Sequence, residues 1–169
     1  MTGKRVILYS LVFCLSVLSA CKKEDTIASS DYKTLGTSAH DLLSASSYSS
    51  LQIEIQYMPG YAIDAASVTN LTNFLNTYIN KPSGIQVIQQ EIDASGKSAL
   101  LLNEIVNIEK KHRSIFTSGN VIAVHILITD GYFSSPEILA TSYWNTSTCV
   151  LAGPYMITQV ARVRLPGHG

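Results

Sequence analysis

The feature that most constrains the fold of this chain is a nearly continuous apolar run, Val121–Ile128, with the sequence VIAVHILI. The turn-forming pairs Gly119-Asn120 and Asp130-Gly131 bound it, which favours a strand over a helix. A strand this apolar is covered on both faces, as in layered α/β folds. His125 is the one polar side chain in the run, and we interpret it as a core histidine with a hydrogen-bond partner rather than a metal ligand.

Two strands and two helices are predicted ahead of this run. Leu51–Met58 alternates apolar and polar side chains, which predicts a strand with one buried face, and Ile85–Ile92 predicts a second strand. Between them, Asp64 is a suitable N-cap for a helix over Ala65–Ile79. A second helix is predicted over about Asn103–Arg113.

The helical periodicity assigns the side chains of both helices to inner and outer faces. The predicted inner residues are Val68, Leu71, Leu75, Tyr78 and Ile79 in the first helix, and Leu101, Leu102, Ile105 and Ile108 in the second. A solvated face is predicted for Glu104, Glu109, Lys110 and Lys111. With two shorter strands at Ile138–Tyr143 and Cys149–Leu151, the expected fold is α/β (α+β), a mixed twisted sheet with two main helices on one side.

The N-terminus has the three-part layout of an export signal. Lys4 and Arg5 precede a short apolar stretch that ends in small residues, which predicts a signal peptide over residues 1–20. Leu18-Ser19-Ala20-Cys21 resembles a bacterial lipobox, so Cys21 is the expected lipid attachment site and the membrane an expected partner. Lysine after this cysteine resembles lipoproteins of the outer membrane, and the charged run resembles signals for surface display.

The remaining chain divides by composition. Residues 21–50 are rich in Ser, Thr and Ala and are expected to form a lipidated tether, ahead of an α/β domain over residues 51–165. Cys149 is expected to be a buried, inert thiol, and His40 a surface residue. The 12 basic residues equal the 12 acidic residues and form no basic block, which argues against a nucleic-acid partner.

Together these segments resemble the N-terminal half of bacterial lipoprotein zinc metallopeptidases of the metzincin type, sometimes labelled membrane metalloproteases. The likeness lies in the lipobox, in Leu51–Met58, in Asn70–Asn76, in Leu102–Lys111 and in Val121–Gly131, and it extends to Ile138–Tyr143. The resemblance implies that residues 51–165 form the N-terminal subdomain of a zincin. It also implies that a complete member binds zinc and hydrolyses peptides.

The motif that would carry this chemistry is absent from the 169 residues. Zinc peptidases of this type place two histidines and a glutamate on one helix as His-Glu-x-x-His, and none of His40, His112, His125 and His168 is followed by glutamate. We therefore expect no zinc or other cofactor and no catalytic residue in the chain as encoded. The domain is expected to be incomplete, with residues 166–169 as an aberrant or truncated end.

The resemblance also suggests where a peptide would bind. In zincins the strand nearest the cleft pairs with the substrate backbone, and the segment that resembles it is Ile138, Leu139, Ala140, Thr141, Ser142 and Tyr143. An ordinary edge strand is the alternative for this segment. For the whole chain, the alternative to an inactive metallopeptidase half is a non-enzymatic surface lipoprotein that binds a peptide, a glycan or a partner protein.

Overall fold

A computed structural model of the chain describes residues 39–133, 135, 137–142 and 148–154. In chain order the elements are α1 (Ala39–Leu43), β1 (Ser50–Tyr57), α2 (Ala65–Tyr78), β2 (Ile85–Glu91), β3 (Ala99–Leu100), α3 (Leu102–His112), β4 (Val121–Thr129), β5 (Tyr132–Phe133), β6 (Ala140–Ser142) and β7 (Thr148–Ala152). The three predicted long strands and both predicted helices are confirmed, with ends that differ by at most one residue from those expected.

Five of the strands form one sheet in the order β2-β1-β4-β7-β6. β1 runs parallel to β2 and to β4, β7 runs parallel to β4, and β6 pairs antiparallel with β7. The sheet is therefore mixed, as expected. β4 lies between two neighbours with its apolar residues inside the protein, which confirms it as a strand covered on both faces. β3 and β5 form a separate pair of two residues each.

The two long helices lie on opposite faces of the sheet, so the expectation of helices on one side is wrong. Leu71 and Leu75 of α2 pack against the core that contains Ile53 of β1, whereas Ile105 of α3 packs with Leu127 of β4 on the other face. The strand order gives the physical reason. β2 lies on one side of β1 and β4 on the other, and right-handed crossovers in opposite directions place their helices on opposite faces.

Helix α2 begins as its sequence predicts. The Asp64 carboxylate accepts a hydrogen bond of 2.8 Å from the Ser67 N–H, and this bond lowers the pKa of Asp64 below its usual value. One residue of the predicted inner stripe is wrong, because the Tyr78 side chain is exposed and packs beside Phe74, with ring centroids 4.7 Å apart. The side of α2 that packs on the core is therefore centred on Leu71 and Leu75, which are partly buried.

Helix α3 differs more from its predicted faces. Leu101 and Leu102 are both 56% exposed rather than inner, because Leu101 is the N-cap and the helix only starts at Leu102. The Glu104 carboxylate accepts from the Leu101 N–H at 2.8 Å, and this bond lowers the pKa of Glu104. Glu109, predicted on the solvated face, is buried, because the C-terminal half of α3 covers a polar part of the sheet.

The last part of the expected tether, residues 39–50, contacts the domain. The Lys81 ammonium is buried and donates to the backbone carbonyls of Asp41, Ser44 and Tyr48 at 2.7, 2.5 and 2.7 Å. Burial lowers the pKa of Lys81, and the Asp41 carboxylate opposes that shift. Lys81 thus fixes this segment to the start of the sheet. Within the described residues, no helix is both long and apolar enough to span a membrane.

Candidate functional site

The strand predicted to meet a peptide lies at one edge of the sheet. Ala140, Thr141 and Ser142 form β6, the outermost strand beside β7, and Ile138 and Leu139 precede it with 40% and 42% of their surfaces exposed. Two predicted site residues, Tyr143 and Cys21, lie outside the described residues. The structure therefore brings five of the six strand residues together at one edge.

The backbone of β6 has two kinds of position. The Ala152 N–H donates to the Leu139 carbonyl at 2.9 Å, and bonded and non-bonded positions alternate along an antiparallel pair. The backbone groups of Leu139 and Thr141 therefore face β7, and those of Ala140 and Ser142 face outward. Within the described residues no strand pairs with this outer side. The edge can accept another extended chain through main-chain hydrogen bonds.

No reactive side chain is assembled beside β6 in the described part of the chain. Cys149 lies opposite Ser142 on β7, and burial raises the pKa of its thiol, so the thiolate fraction at neutral pH is small. Cys149 is half-buried rather than fully buried, and its small thiolate fraction agrees with the prediction of an inert thiol. Within the described residues, this edge therefore presents mainly backbone N–H and C=O groups.

A second candidate is a polar network buried between the sheet and α3, with His125 at its centre. The Gln56 side-chain nitrogen faces three acceptors, namely Glu54 Oε1 at 3.2 Å, Gln90 Oε1 at 3.3 Å and the His112 carbonyl at 2.6 Å. This orientation turns Gln56 Oε1 toward His125 Nε2, at 3.0 Å. Nε2 therefore carries the proton of the neutral ring and donates it to Gln56.

On the other side of the His125 ring, Thr148 connects the ring to an ion pair between Glu109 and Arg113. The Thr148 hydroxyl lies 3.4 Å from His125 Nδ1 and donates to Glu109 Oε1 at 2.5 Å. Arg113 donates to the same carboxylate oxygen at 2.8 Å, and the two side chains are 2% and 8% exposed. Losing one partner of such a buried pair leaves an uncompensated charge, which is strongly destabilising. The guanidinium also stacks 4.7 Å from the centre of the Phe116 ring.

Glu54 closes the network at the end of α3. Its carboxylate accepts from the Ser114 N–H at 3.1 Å, from the Ser114 hydroxyl at 2.6 Å and from the Ile115 N–H at 3.1 Å. These donors follow the last residue of α3, so Glu54 fastens the chain after the helix to the middle of β1. Charge-assisted hydrogen bonds of this kind are among the stronger ones in proteins.

The network does not fit a zinc ion. His125 has a hydrogen-bonding group beside each ring nitrogen, and within the described residues no three His, Cys, Asp or Glu side chains form a group that could hold a metal. Burial, reinforced by the Arg113 charge, lowers the pKa of His125 to about 3. The prediction of a satisfied core histidine is confirmed. The ring is neutral at physiological pH and positions α3 on the sheet.

The remaining histidines do not join this centre. His40 is exposed, as predicted, and its Nε2 lies 3.0 Å from the Ser46 hydroxyl. His112 contributes its carbonyl to Gln56, and His168 lies outside the described residues.

The carboxyl ends of β1 and β4 form the crevice in which open α/β sheets commonly bind ligands. In this chain, loops pack into that crevice. Asp130 accepts from the Ser95 N–H at 3.0 Å and from the Ser95 hydroxyl. Gly153 packs so closely that a Cβ there would lie 2.3 Å from Tyr61 Cδ1 and 2.4 Å from the Thr129 carbonyl oxygen. These contacts are structural.

Sequence reasoning missed most members of the network. The alternation over Leu51–Met58 predicts a solvated face that includes Glu54 and Gln56, but both are buried, because β1 lies inside the sheet and α3 covers that face. One signal was available. A single histidine in an apolar run needs polar partners, and the neighbouring strand offers Glu54, which is the register partner of His125.

Comparison with known proteins adds no relative: no protein family, curated protein or solved structure matched this chain.

Proposed function

We propose that this chain is an envelope lipoprotein whose α/β domain binds an extended peptide along β6, and that it performs no peptide hydrolysis itself. The observation that carries the proposal is the outward backbone of Ala140 and Ser142 on an edge strand. Such an edge recognises a peptide mainly through its main chain. We propose no hydrolysis because the sequence contains no His-Glu-x-x-His.

The same edge supports the relationship to the metzincin-type lipoproteins, which we propose as the origin of the domain. The segment that resembles their substrate-binding strand is the outermost of the described strands and runs antiparallel to its neighbour. An internal strand could not take up a peptide, because both of its sides are already paired. In this proposal the domain keeps the peptide-binding strand of a peptidase and has no zinc centre.

A selected peptide tests the binding proposal. The full chain, purified in detergent, is used to enrich a phage library of random eight-residue peptides, and the enriched peptide is labelled with fluorescein. Ala140→Pro removes one outward N–H and leaves the bonds to β7 in place, since proline is tolerated at such edge positions. Ala140→Val keeps the N–H and serves as the matched control.

We expect saturable binding by fluorescence anisotropy, unchanged in Ala140→Val and at least about fivefold weaker in Ala140→Pro, the equivalent of about 1 kcal/mol for one main-chain hydrogen bond. Failure to enrich any peptide, or equal binding by both variants, would exclude β6 as the binding edge. A fluorogenic peptide incubated with the chain and added zinc should remain intact. Its hydrolysis would overturn the non-enzymatic part of the proposal.

Lipid attachment is tested separately at Cys21. We expect cells that produce the full chain and are fed radioactive palmitate to label the wild type and not Cys21→Ser, with the labelled chain in the membrane fraction. Equal labelling of both would place the acyl chain elsewhere. A soluble, unlabelled wild type would show that the chain is not a lipoprotein.

A further inference from the structure

The opposite edge of the sheet is formed by β2, and its backbone also alternates in direction. The Leu51 N–H donates to the Gly84 carbonyl at 3.1 Å, and the Ile92 N–H donates to the Tyr57 carbonyl at 2.9 Å. In a parallel pair, these two bonds fix which β2 residues face β1, namely those with even numbers. The N–H and C=O groups of Ile85, Val87, Gln89 and Glu91 therefore face away from the sheet.

This edge has few of the features that usually keep sheet edges apart. Natural edge strands are commonly short or carry lysine, proline or a bulge. β2 is seven residues long, IQVIQQE, and has one charged residue, Glu91, at its end. Gln86, Gln89 and Gln90 are exposed, and within the described residues no strand lies beyond β2. The edge is therefore open to strand pairing.

The outward backbone groups of β2 can pair with those of a second copy of the strand. In an antiparallel pair of two β2 strands with Ile88 opposite Ile88, Ile85 lies opposite Glu91 and Val87 lies opposite Gln89. Because the outward residues then face each other, the backbone groups of all four on each strand form hydrogen-bonded pairs. A register shifted along the strand leaves some of these groups unpaired. The centred register is therefore the favoured one, and it has two-fold symmetry.

On one face of the sheet, the side chains also match in this register. Gln86 lies opposite Gln90 of the second copy, on the face of the sheet that carries α3. Within one chain, Gln52 Nε2 donates to Gln86 Oε1 at 2.9 Å, and Gln56 Nε2 approaches Gln90 Oε1 at 3.3 Å. The amides of β1 and β2 thus form rows that the second copy extends. The two Glu91 carboxylates lie at opposite ends of the paired strands, so like charges do not meet.

We propose that two copies of this chain associate through antiparallel pairing of their β2 strands, which joins two five-stranded sheets into one of ten strands. A second copy is favoured as the partner because it places Ile88 against Ile88 and Gln86 against Gln90, which extends the rows of amide side chains on β1 and β2. The interface is independent of the peptide-binding edge, since β2 and β6 lie at opposite ends of the sheet.

Cysteine cross-linking of the full chain in the membranes of producing cells tests the register. The background variant is Cys149→Ser, because Cys149 is a free thiol. Ile88→Cys brings two cysteines to a non-hydrogen-bonded pair whose Cα atoms are about 4.5 Å apart, within the range that a disulfide spans. Val87→Cys serves as the control, because its two copies would be roughly 9 Å apart, which is too far for a disulfide.

On mild oxidation we expect a disulfide-linked dimer for Ile88→Cys and little for Val87→Cys. Mixing differently tagged Val87→Cys and Gln89→Cys chains in one cell should restore cross-linking, since these positions face each other in the centred register. Absence of the Ile88→Cys dimer would overturn the proposal. Equal cross-linking of Ile88→Cys and Val87→Cys would also overturn it, because that result indicates random collision.

A proline variant provides a second test without introduced cysteines. Gln89→Pro removes an outward N–H and leaves pairing with β1 intact, and Gln89→Thr keeps that N–H. Two differently tagged copies should co-purify for the wild type and for Gln89→Thr, with recovery at least fivefold lower for Gln89→Pro. Undiminished recovery of Gln89→Pro would refute pairing through β2. Ile88→Cys in the Cys149→Ser background should cross-link equally well with and without Ala140→Pro, which separates this test from that of peptide binding.

Discussion

The buried neutral state of His125 makes the stability of the domain depend on pH. A histidine in the unfolded chain titrates near pH 6.5, whereas burial and the Arg113 charge hold the pKa of His125 at about 3 in the folded protein. Between these values the unfolded state binds a proton that the folded state does not bind, so the free energy of unfolding falls as the pH falls. Glu54 and Glu109 face the same centre but do not offset the cost of desolvation.

The size of the effect follows from the pKa difference. Each pH unit below about 6.5 costs roughly 1.4 kcal/mol, so acidification from pH 7 to pH 5 should lower the free energy of unfolding by about 2 kcal/mol. The loss continues until the pH approaches the folded pKa of about 3. Stability that depends on His125 is therefore fully present above pH 6.5 and decreases on acidification.

Urea denaturation at pH 7 and at pH 5 measures this loss, and His125→Gln provides the control. Glutamine can still donate to Gln56 but does not titrate, and the other histidines are unchanged, so their contribution cancels between the two proteins. We expect the wild type to lose about 2 kcal/mol more than the variant. Equal losses would refute the assignment of a buried, neutral His125, as would an NMR titration of its ring near pH 6.5.

Three substitutions test other structural contacts by urea denaturation at pH 7. Lys81→Met leaves three backbone carbonyls without their buried donor and should lower the free energy of unfolding by about 2–4 kcal/mol. A loss below about 0.5 kcal/mol would show that the three Lys81 hydrogen bonds contribute little to stability. Gly153→Ala should cost about 1–3 kcal/mol, because its methyl group overlaps the Thr129 carbonyl, and a neutral result would contradict that close approach. Asp64→Ala should cost about 1 kcal/mol through loss of the cap on the Ser67 N–H, whereas Asp64→Asn should retain most of that stability.

Local patterns in the sequence predict the elements of this fold but not their arrangement around the sheet. The strand at Val121–Ile128 and the helix capped by Asp64 follow from side chains close to each other along the chain. The face that each helix covers depends instead on whether successive crossovers run in the same direction, which is a property of the complete strand order. For this reason the sequence predicts α2 and α3 on one face of the sheet, whereas they lie on opposite faces.

The polar network around His125 is also not predictable from local patterns in the sequence. Glu54 and Glu109 have the spacing of solvated residues, and polarity alone does not distinguish a wet face from two polar faces that bury each other. Several of their partners lie far along the chain, as the contact of Glu109 with Thr148 shows. The resemblance likewise suggests that Ala140 lies on an edge strand, but only the observed strand order places it there.

The connection between residues 39–48 and β1 determines how the domain responds to mechanical force. Tension applied to the chain ahead of α1 enters at the carbonyls that Lys81 holds, and it then reaches the N-terminal end of β1. β1 is hydrogen-bonded on both sides, to β2 and to β4, and a pull along its axis loads these bonds together in shear instead of opening them one by one. In the proposed lipoprotein, such an attachment resists extraction of β1 when a bound peptide is pulled away from the membrane.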